Sequence, residues 1–301
     1  MVHVVASPGS CGEFIQGYGN GASFMVTCPI DRYSIARASL GVGEKGLSDK
    51  SRLARDLTLA HLGKTGTSVA VSLSSEIPVG KGMASSTADI SAVCQATALA
   101  CGQVLTPADI ASIAISIEPS DAIFYKGIVQ FDYRRGRLIQ QLGAAPSMKI
   151  LVFDCGGEID TLAFNSRSDL VSMQKESEKE IAKAMELFLD GMKTGNVSEI
   201  GKAATISAFA NQRILPKDAL NLFYQSGMEA GGRGVIAAHS GTVLGLLLGE
   251  GDSAEEIRMK METAMHGLVS YLDLVNVTNK GMSWKSITDS SLLDDGNLFF
   301  Q

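Results

Sequence analysis

Three groups of residues in this chain have types and spacings that could do chemistry. The first is Glu76-Ile-Pro-Val-Gly-Lys-Gly-Met-Ala-Ser-Ser-Thr-Ala-Asp89, where Gly80, Gly82 and Ala84 carry almost no side chain and Ser85, Ser86 and Thr87 follow with hydroxyls. Backbone this bare lets an anion approach closely, and a helix opening at Ser85 leaves its first N–H groups without intrahelical partners. The stretch reads as a phosphate cradle, to which Lys81 adds a mobile positive charge. The second group is Glu118-Pro-Ser-Asp121. Two carboxylates three residues apart at a helix C-terminus repel each other and the helix dipole, so a cation, Mg²⁺ or a substrate group, should sit with them. The third group pairs two small-residue segments, Ser7-Pro-Gly-Ser-Cys-Gly-Glu13 and His239-Ser240-Gly241. Glu13 could accept hydrogen bonds from a substrate ammonium or hydroxyl.

The elements that must position these groups follow from hydrophobic period. Residues 68–74 alternate small polar residues with Val69, Val71 and Leu73, the pattern of a half-buried strand. Residues 85–101 are Ala-rich with Ile90, Val93 and Thr97 at helical spacing, so the cradle joins a strand to a helix. A second helix opens at Thr106-Pro107, hydroxyl cap and first-turn proline, and stops at Pro119. Strands are expected over 2–6, 23–28, 33–39, 128–133, 137–142, 149–153, 235–248 (broken at the 239–241 turn) and 269–275, with 7–17 as a loop between the first two. Helices are expected over 47–61, 168–192, 198–213, 216–230 and 252–267.

Two common nucleotide motifs do not fit. A Walker A loop needs Gly where Ser75 stands, and a dinucleotide fingerprint over 80–85 would end on Ser85. Gly41-Val-Gly-Glu-Lys-Gly46 does satisfy the dinucleotide spacing, but the next carboxylate, Asp56, falls inside a helix rather than at the end of a second strand, so the segment reads as a surface loop.

The chain has 301 residues and a formal net charge of −6, which argues against a nucleic-acid partner; no basic leader or long apolar run suggests export or membrane insertion. The expected location is cytoplasmic. Its five cysteines include no Cys-x-x-Cys pair and its four histidines are scattered, so neither a disulfide framework nor a zinc site is expected. Either a monomer or a homodimer is compatible with this composition. The terminal Gly-Asn-Leu-Phe-Phe-Gln is similar to a protease-site remnant and is set aside.

The central stretch resembles the Pro-x-Gly-x-Gly-Leu-Gly/Ser-Ser-Ser-Ala motif of the GHMP kinases: Pro78, Gly80, Gly82, Ser85 and Ser86 match, with Met83, Ala84 and Thr87 at the variant positions. Pro8, Gly9, Gly12 and Glu13 resemble the family's first motif, though Ser10 stands where a Lys is frequent, and His239-Ser240-Gly241 resembles the third. The resemblance implies an α+β, two-domain GHMP kinase fold: residues 1–145 as an ATP-binding domain with a mixed sheet and helices, and 146–301 as a ferredoxin-like βαββαβ half with extra helices. It implies ATP and Mg²⁺ as cofactors, with Pro78, Gly80, Lys81, Gly82, Met83, Ala84, Ser85, Ser86 and Thr87 at the nucleotide. It further implies Ser86 and Glu118 at the metal, Asp121 as the catalytic acid–base group, and Glu13, Ser240 and Gly241 at the substrate. Within the family the wording of these motifs is most similar to the branch acting on L-threonine, which implies a small amino alcohol as substrate; homoserine stays open, as does a non-catalytic sensor that binds ATP and a metabolite. Arg32, Arg213 and Arg233 are the candidates for holding a substrate carboxylate.

Overall fold

The computed structural model describes residues 1–159, 163–164 and 166–288. The chain opens with two long antiparallel strands, β1 (Val2–Gly19) and β2 (Ala22–Leu40), then a two-residue β3 (Glu44–Lys45), α1 (Asp49–His61) and β4 (Val69–Ser75). Next come α2 (Ser85–Ala100), α3 (Pro107–Ile117) and the hairpin β5 (Ile128–Asp132) and β6 (Arg137–Gly143). The second half runs β7 (Met148–Asp154), α4 (Leu170–Glu176), α5 (Glu178–Thr194), α6 (Val197–Ala210), α7 (Leu220–Ala230), β8 (Gly234–Ala237), β9 (Val243–Gly249), α8 (Ala254–Ala264), β10 (Ser270–Asn276) and β11 (Ser283–Ile287).

The strands form one sheet in the order β10-β7-β9-β8-β1-β2-β4-β3, with β11 on β1 and the β5–β6 hairpin on β2. Taken alone, β7, β8, β9 and β10, the first four strands of the second half, stand in the spatial order fourth, first, third, second and are antiparallel throughout, the ferredoxin-like arrangement expected with extra helices inserted. They meet the first half at one rung, Glu13 opposite Ala237. Gly12 makes this approach possible: it has φ +60°, and a Cβ there would stand 2.5 Å from the Ala237 carbonyl oxygen.

Both faces of β7, β8 and β9 are buried, while the edge strand β10 is largely exposed. Ile150 and Val152 of β7 join the core shared with α2, α5 and α6, while Leu151 and Phe153 pack with Phe223 of α7 and Met261 of α8. This explains the continuous apolar run in β7, where a one-faced strand would alternate. Helix α2 is buried around nearly its whole circumference, and its alanines let it lie closely on β1 and β2.

Four expectations change. Residues 7–17 are not a loop but the bulged middle of β1, with register shifts at Pro8/Gly9, Ser10/Glu13 and Glu13/Ile15. Bulges interrupt the ladder only locally while turning side chains to new directions, and small residues tolerate the local twist. Residues 23–28 and 33–39 are one strand, because Pro29 sits in the irregular stretch opposite Ser10, where the ladder needs no donor from it. The long helix breaks at Ser177 into α4 and α5. A strand not expected from the sequence, β11, follows the strand at 270–276 and returns to pair with Val2–Ala6. The protease-site-like end, 296–301, lies outside the described residues. The 41–46 segment is exposed at the sheet edge, as expected of a surface loop, with β3 bridging to β4.

Helix α6 packs on β8 through Gly201 and Gly234; a Cβ on Gly201 would stand 2.7 Å from the Arg233 carbonyl carbon and collide with its oxygen. Since backbone cannot yield as a side chain tip can, Gly201→Ala should lower the unfolding free energy by about 2–3 kcal/mol, measured by urea denaturation; an unchanged midpoint would refute this packing.

Candidate active site

The turn 80–84 is clamped between the two halves of the chain. The Lys81 carbonyl accepts from the N–H groups of Thr242 (3.0 Å) and Val243 (3.3 Å), and the Met83 carbonyl accepts from Ser10 N–H (2.9 Å). Gly82 has φ +80° and touches the 238–241 turn so closely that a Cβ would lie 2.5 Å from Ala238 Cβ and 2.7 Å from Gly241 Cα. Ala84 then takes a left-handed conformation (φ 56°), and α2 starts at Ser85 with no side chain capping its N-terminus.

That helix terminus opens on a cavity of about 230 Å³. Of the residues anticipated from sequence, Glu13, Gly80, Gly82, Met83, Ala84, Ser85, Ser86, Thr87, Glu118, Asp121 and Ser240 all line it. Three do not. Pro78 is exposed outside the cavity, and Gly241 packs behind Gly82. Lys81 turns away: its Nζ lies 2.7 Å from Asp154 Oδ2 and donates to the Gly157 carbonyl (2.8 Å). A carboxylate at the end of β7 thus captures the cation that sequence alone left mobile.

Among the described residues, Glu13, Glu118 and Asp121 are the carboxylates that face the cavity. Glu118, buried at the end of α3, pairs with Lys50 Nζ at 2.6 Å. Lys50 comes from the first turn of α1 and is the basic residue lining the cavity. The cation demanded by Glu118 is therefore supplied by a residue 68 positions away in sequence, which no local pattern could reveal. Asp121 is fixed by its backbone N–H donating to Thr87 Oγ1 (3.3 Å). Burial, reinforced by Glu13 and then Glu118, pushes its carboxyl up to about 8. Glu13 is held from behind: its Oε2 accepts from His239 N–H (2.9 Å) and from His239 Nδ1 (3.0 Å). With that proton on Nδ1, Nε2 accepts from Ser207 (3.1 Å), whose oxygen in turn accepts from Gln16 N–H (3.0 Å). His239, read from sequence as a turn residue, is the positioning partner of Glu13.

The three arginines proposed for a substrate carboxylate are not at this cavity. Arg32 is paired with Asp273 (2.7 Å) and Arg233 with Asp252, while Arg213 lines a separate groove beside Ser177. Surface acids outcompete an internal role for the first two, since both guanidinium groups are met by complete carboxylates.

The donor set fits a metal–nucleotide ligand. An uncapped helix N-terminus and glycine-lined turn suit phosphates, and Glu118 already accepts a cationic group, with the Ser86 hydroxyl in the same cavity. Magnesium is commonly bound through one or two carboxylates plus phosphate oxygens and water, so so few protein donors suffice.

A mixed sheet carrying an uncapped helix N-terminus opposite clustered carboxylates has the makings of a site for a metal–phosphate ligand. The profile of the GHMP kinases N terminal domain matches residues 51–127. The chain is 34% identical to the L-threonine kinase of Salmonella typhimurium strain LT2 over 255 residues, 82% of this chain and 83% of that protein. It is 32% identical to the L-threonine kinase of Citrobacter freundii over 254 residues, 81% and 86% of the two chains. The fold superposes on the homoserine kinase of Cytophaga hutchinsonii with a TM-score of 0.66, at 16% identity and covering 94% of this chain and 97% of that one. The chain belongs to the GHMP kinase family.

Because Asp121 keeps its proton until about pH 8, the cavity gains negative charge as pH rises through that value. Binding of Mn²⁺ to the nucleotide-free protein should therefore strengthen with rising pH, and Asp121→Asn should flatten the dependence; calorimetric titration across this range checks both.

Proposed function

We propose that this protein transfers the γ-phosphoryl group of ATP to the side-chain hydroxyl of L-threonine, forming O-phospho-L-threonine. The observation that carries the reading is the cavity itself, where an uncapped helix N-terminus faces Glu13, Glu118 and Asp121. The likeness to L-threonine kinases supports the choice of acceptor.

In this reading the N–H groups of residues 82–86 hold the phosphates, and Ser86 and Glu118 would hold Mg²⁺, which when bound neutralises charge on the phosphate oxygens. Lys50 exchanges Glu118 for a phosphate oxygen and supplies the cation that Lys81, engaged by Asp154, does not. Asp121 orients the acceptor hydroxyl. An alcohol resembles water, with a pKa of about 15.7, so a carboxylate even in the range of Asp121 cannot hold an alkoxide ready; it takes the proton late. Catalysis is then mostly positioning and charge neutralisation. Glu13, braced by His239, and Ser240 contact the acceptor. In this reading the enzyme works in the cytoplasm and its product feeds the aminopropanol arm of cobalamin.

Turnover measured as ADP release over L-threonine, L-serine, L-homoserine and mevalonate tests the reading. L-threonine should give the highest kcat/KM, and nucleotide binding without turnover on any of them would favour a sensor. Asp121→Asn should lower kcat by roughly 10²–10⁴-fold with nucleotide affinity retained. Lys50→Met should lower kcat by about 100-fold and weaken a non-hydrolysable ATP analogue more than ADP; equal effects on the two nucleotides would deny Lys50 a place at the transferred group.

A further inference from the structure

We infer that Lys217 anchors the carboxylate of the acceptor, in a second cavity that adjoins the first at Ile159; the inference rests on the amino-acid acceptor proposed above. Lys217 lies in the connection between α6 and α7 and is only 7% exposed. Its backbone is bracketed by one side chain: its N–H donates to Gln212 Oε1 (2.7 Å) and its carbonyl accepts from Gln212 Nε2 (2.9 Å). Its Nζ donates to the Ala238 carbonyl at 2.7 Å, and among the described residues no carboxylate forms an ion pair with it. The neighbouring Asp218 is exposed and does not approach it.

A buried ammonium met by one neutral carbonyl has two N–H donors to spare and a charge without a counter-ion, an arrangement that structures built for stability alone avoid. Burial pulls its pKa down to about 8, against the opposing influence of Cys155 and Glu13. The cavity it lines measures about 510 Å³ and is walled by backbone and apolar groups, including Gly156, Leu215, Gly241 and Leu268, together with the Cys155 thiol, the Thr242 hydroxyl and the solvent-exposed Asp218. Such a chamber has room for an anion and supplies a cation for it.

The ligand follows from what adjoins this chamber. Ile159 lines both cavities, and the turn between β8 and β9 borders both, presenting Ser240 to the first and Gly241 and Thr242 to the second. Lys217 grips the Ala238 carbonyl, and the next residue, His239, grips Glu13. The two charged groups therefore clasp successive residues of one turn. Phosphates have their own place at the N-terminus of α2, which leaves the acceptor's carboxylate as the anion to be received. None of the three arginines weighed from sequence lines either cavity, so Lys217 fills the role they do not.

The test compares L-threonine with 1-amino-2-propanol, the same carbon frame without the carboxylate. In the full-length enzyme Lys217→Met should raise the KM for L-threonine by about 10- to 100-fold. Nucleotide affinity and kcat/KM for 1-amino-2-propanol should stay at wild-type values, and Lys217→Arg should recover part of the loss. Equal losses on both acceptors would make Lys217 a structural staple of the turn and overturn the inference, as would an unchanged KM. A second measurement needs neither a variant nor turnover: L-threonine, but not 1-amino-2-propanol, should shield Lys217 of the wild-type protein from reductive methylation, read by peptide mass spectrometry. Equal labelling in the presence of either compound overturns the inference. Failure of the wild-type enzyme to phosphorylate L-threonine would instead strike the acceptor assignment, which the labelling result does not depend on.

Discussion

The contact on which the site depends is backbone against backbone. Gly82 of the first half lies on Gly241 and Ala238 of the second, and the Lys81 carbonyl is shared by the N–H groups of Thr242 and Val243. No side chain can intervene at this distance. The contact fixes the phosphate-side turn relative to the acceptor-side turn, and the rung between Glu13 of β1 and Ala237 of β8 joins the halves a second time next to that turn. Two halves joined at this point share a cavity whose walls come from both, and its groups sit on β1, on the ends of α1, α2 and α3 and on two turns held against each other.

Charge is arranged around that contact with a deliberate imbalance. Among the described residues, three carboxylates line the cavity with one lysine, while the lysine of the glycine turn is drawn off by Asp154. An empty cavity of this kind repels polyphosphate unless cations accompany it, which suits a donor that arrives as a metal complex. Burial first, and this imbalance second, raises the Asp121 carboxyl. A bound divalent ion would relieve that repulsion and lower it again, so the group's proton affinity and the arrival of the donor are linked.

Behind the cavity the polar groups are ordered in a chain. Gln16, Ser207, His239 and Glu13 form a buried relay in which each donor has its acceptor, and Lys217 and Asn211 tie down the carbonyls of Ala238 and His239. Buried polar groups satisfied in this way hold one geometry because any alternative would strand a donor or acceptor away from water. The turn that presents Ser240 is therefore held from several sides.

Much of this was legible in the residues themselves. Local chemistry determined the phosphate turn, since bare glycines, three hydroxyls and the start of an Ala-rich helix are contiguous in sequence. It determined α3 with its Thr106 cap and the carboxylates at its end, and the succession of strands and helices in the second half followed from their periods, while its ferredoxin-like order was implied by the family resemblance. What sequence could not decide was every relation across the sheet. Bulges carried the strand through a segment as glycine-rich as any loop, because ladder bonds to β2 outweigh local flexibility. Lys50 found Glu118, Asp154 took Lys81, His239 found Glu13 and Lys217 found the Ala238 carbonyl, each through pairings between residues far apart in the chain. A side chain's charge is written in its type, but which opposite charge it meets depends on distances that exist only once the two halves have closed on Gly82.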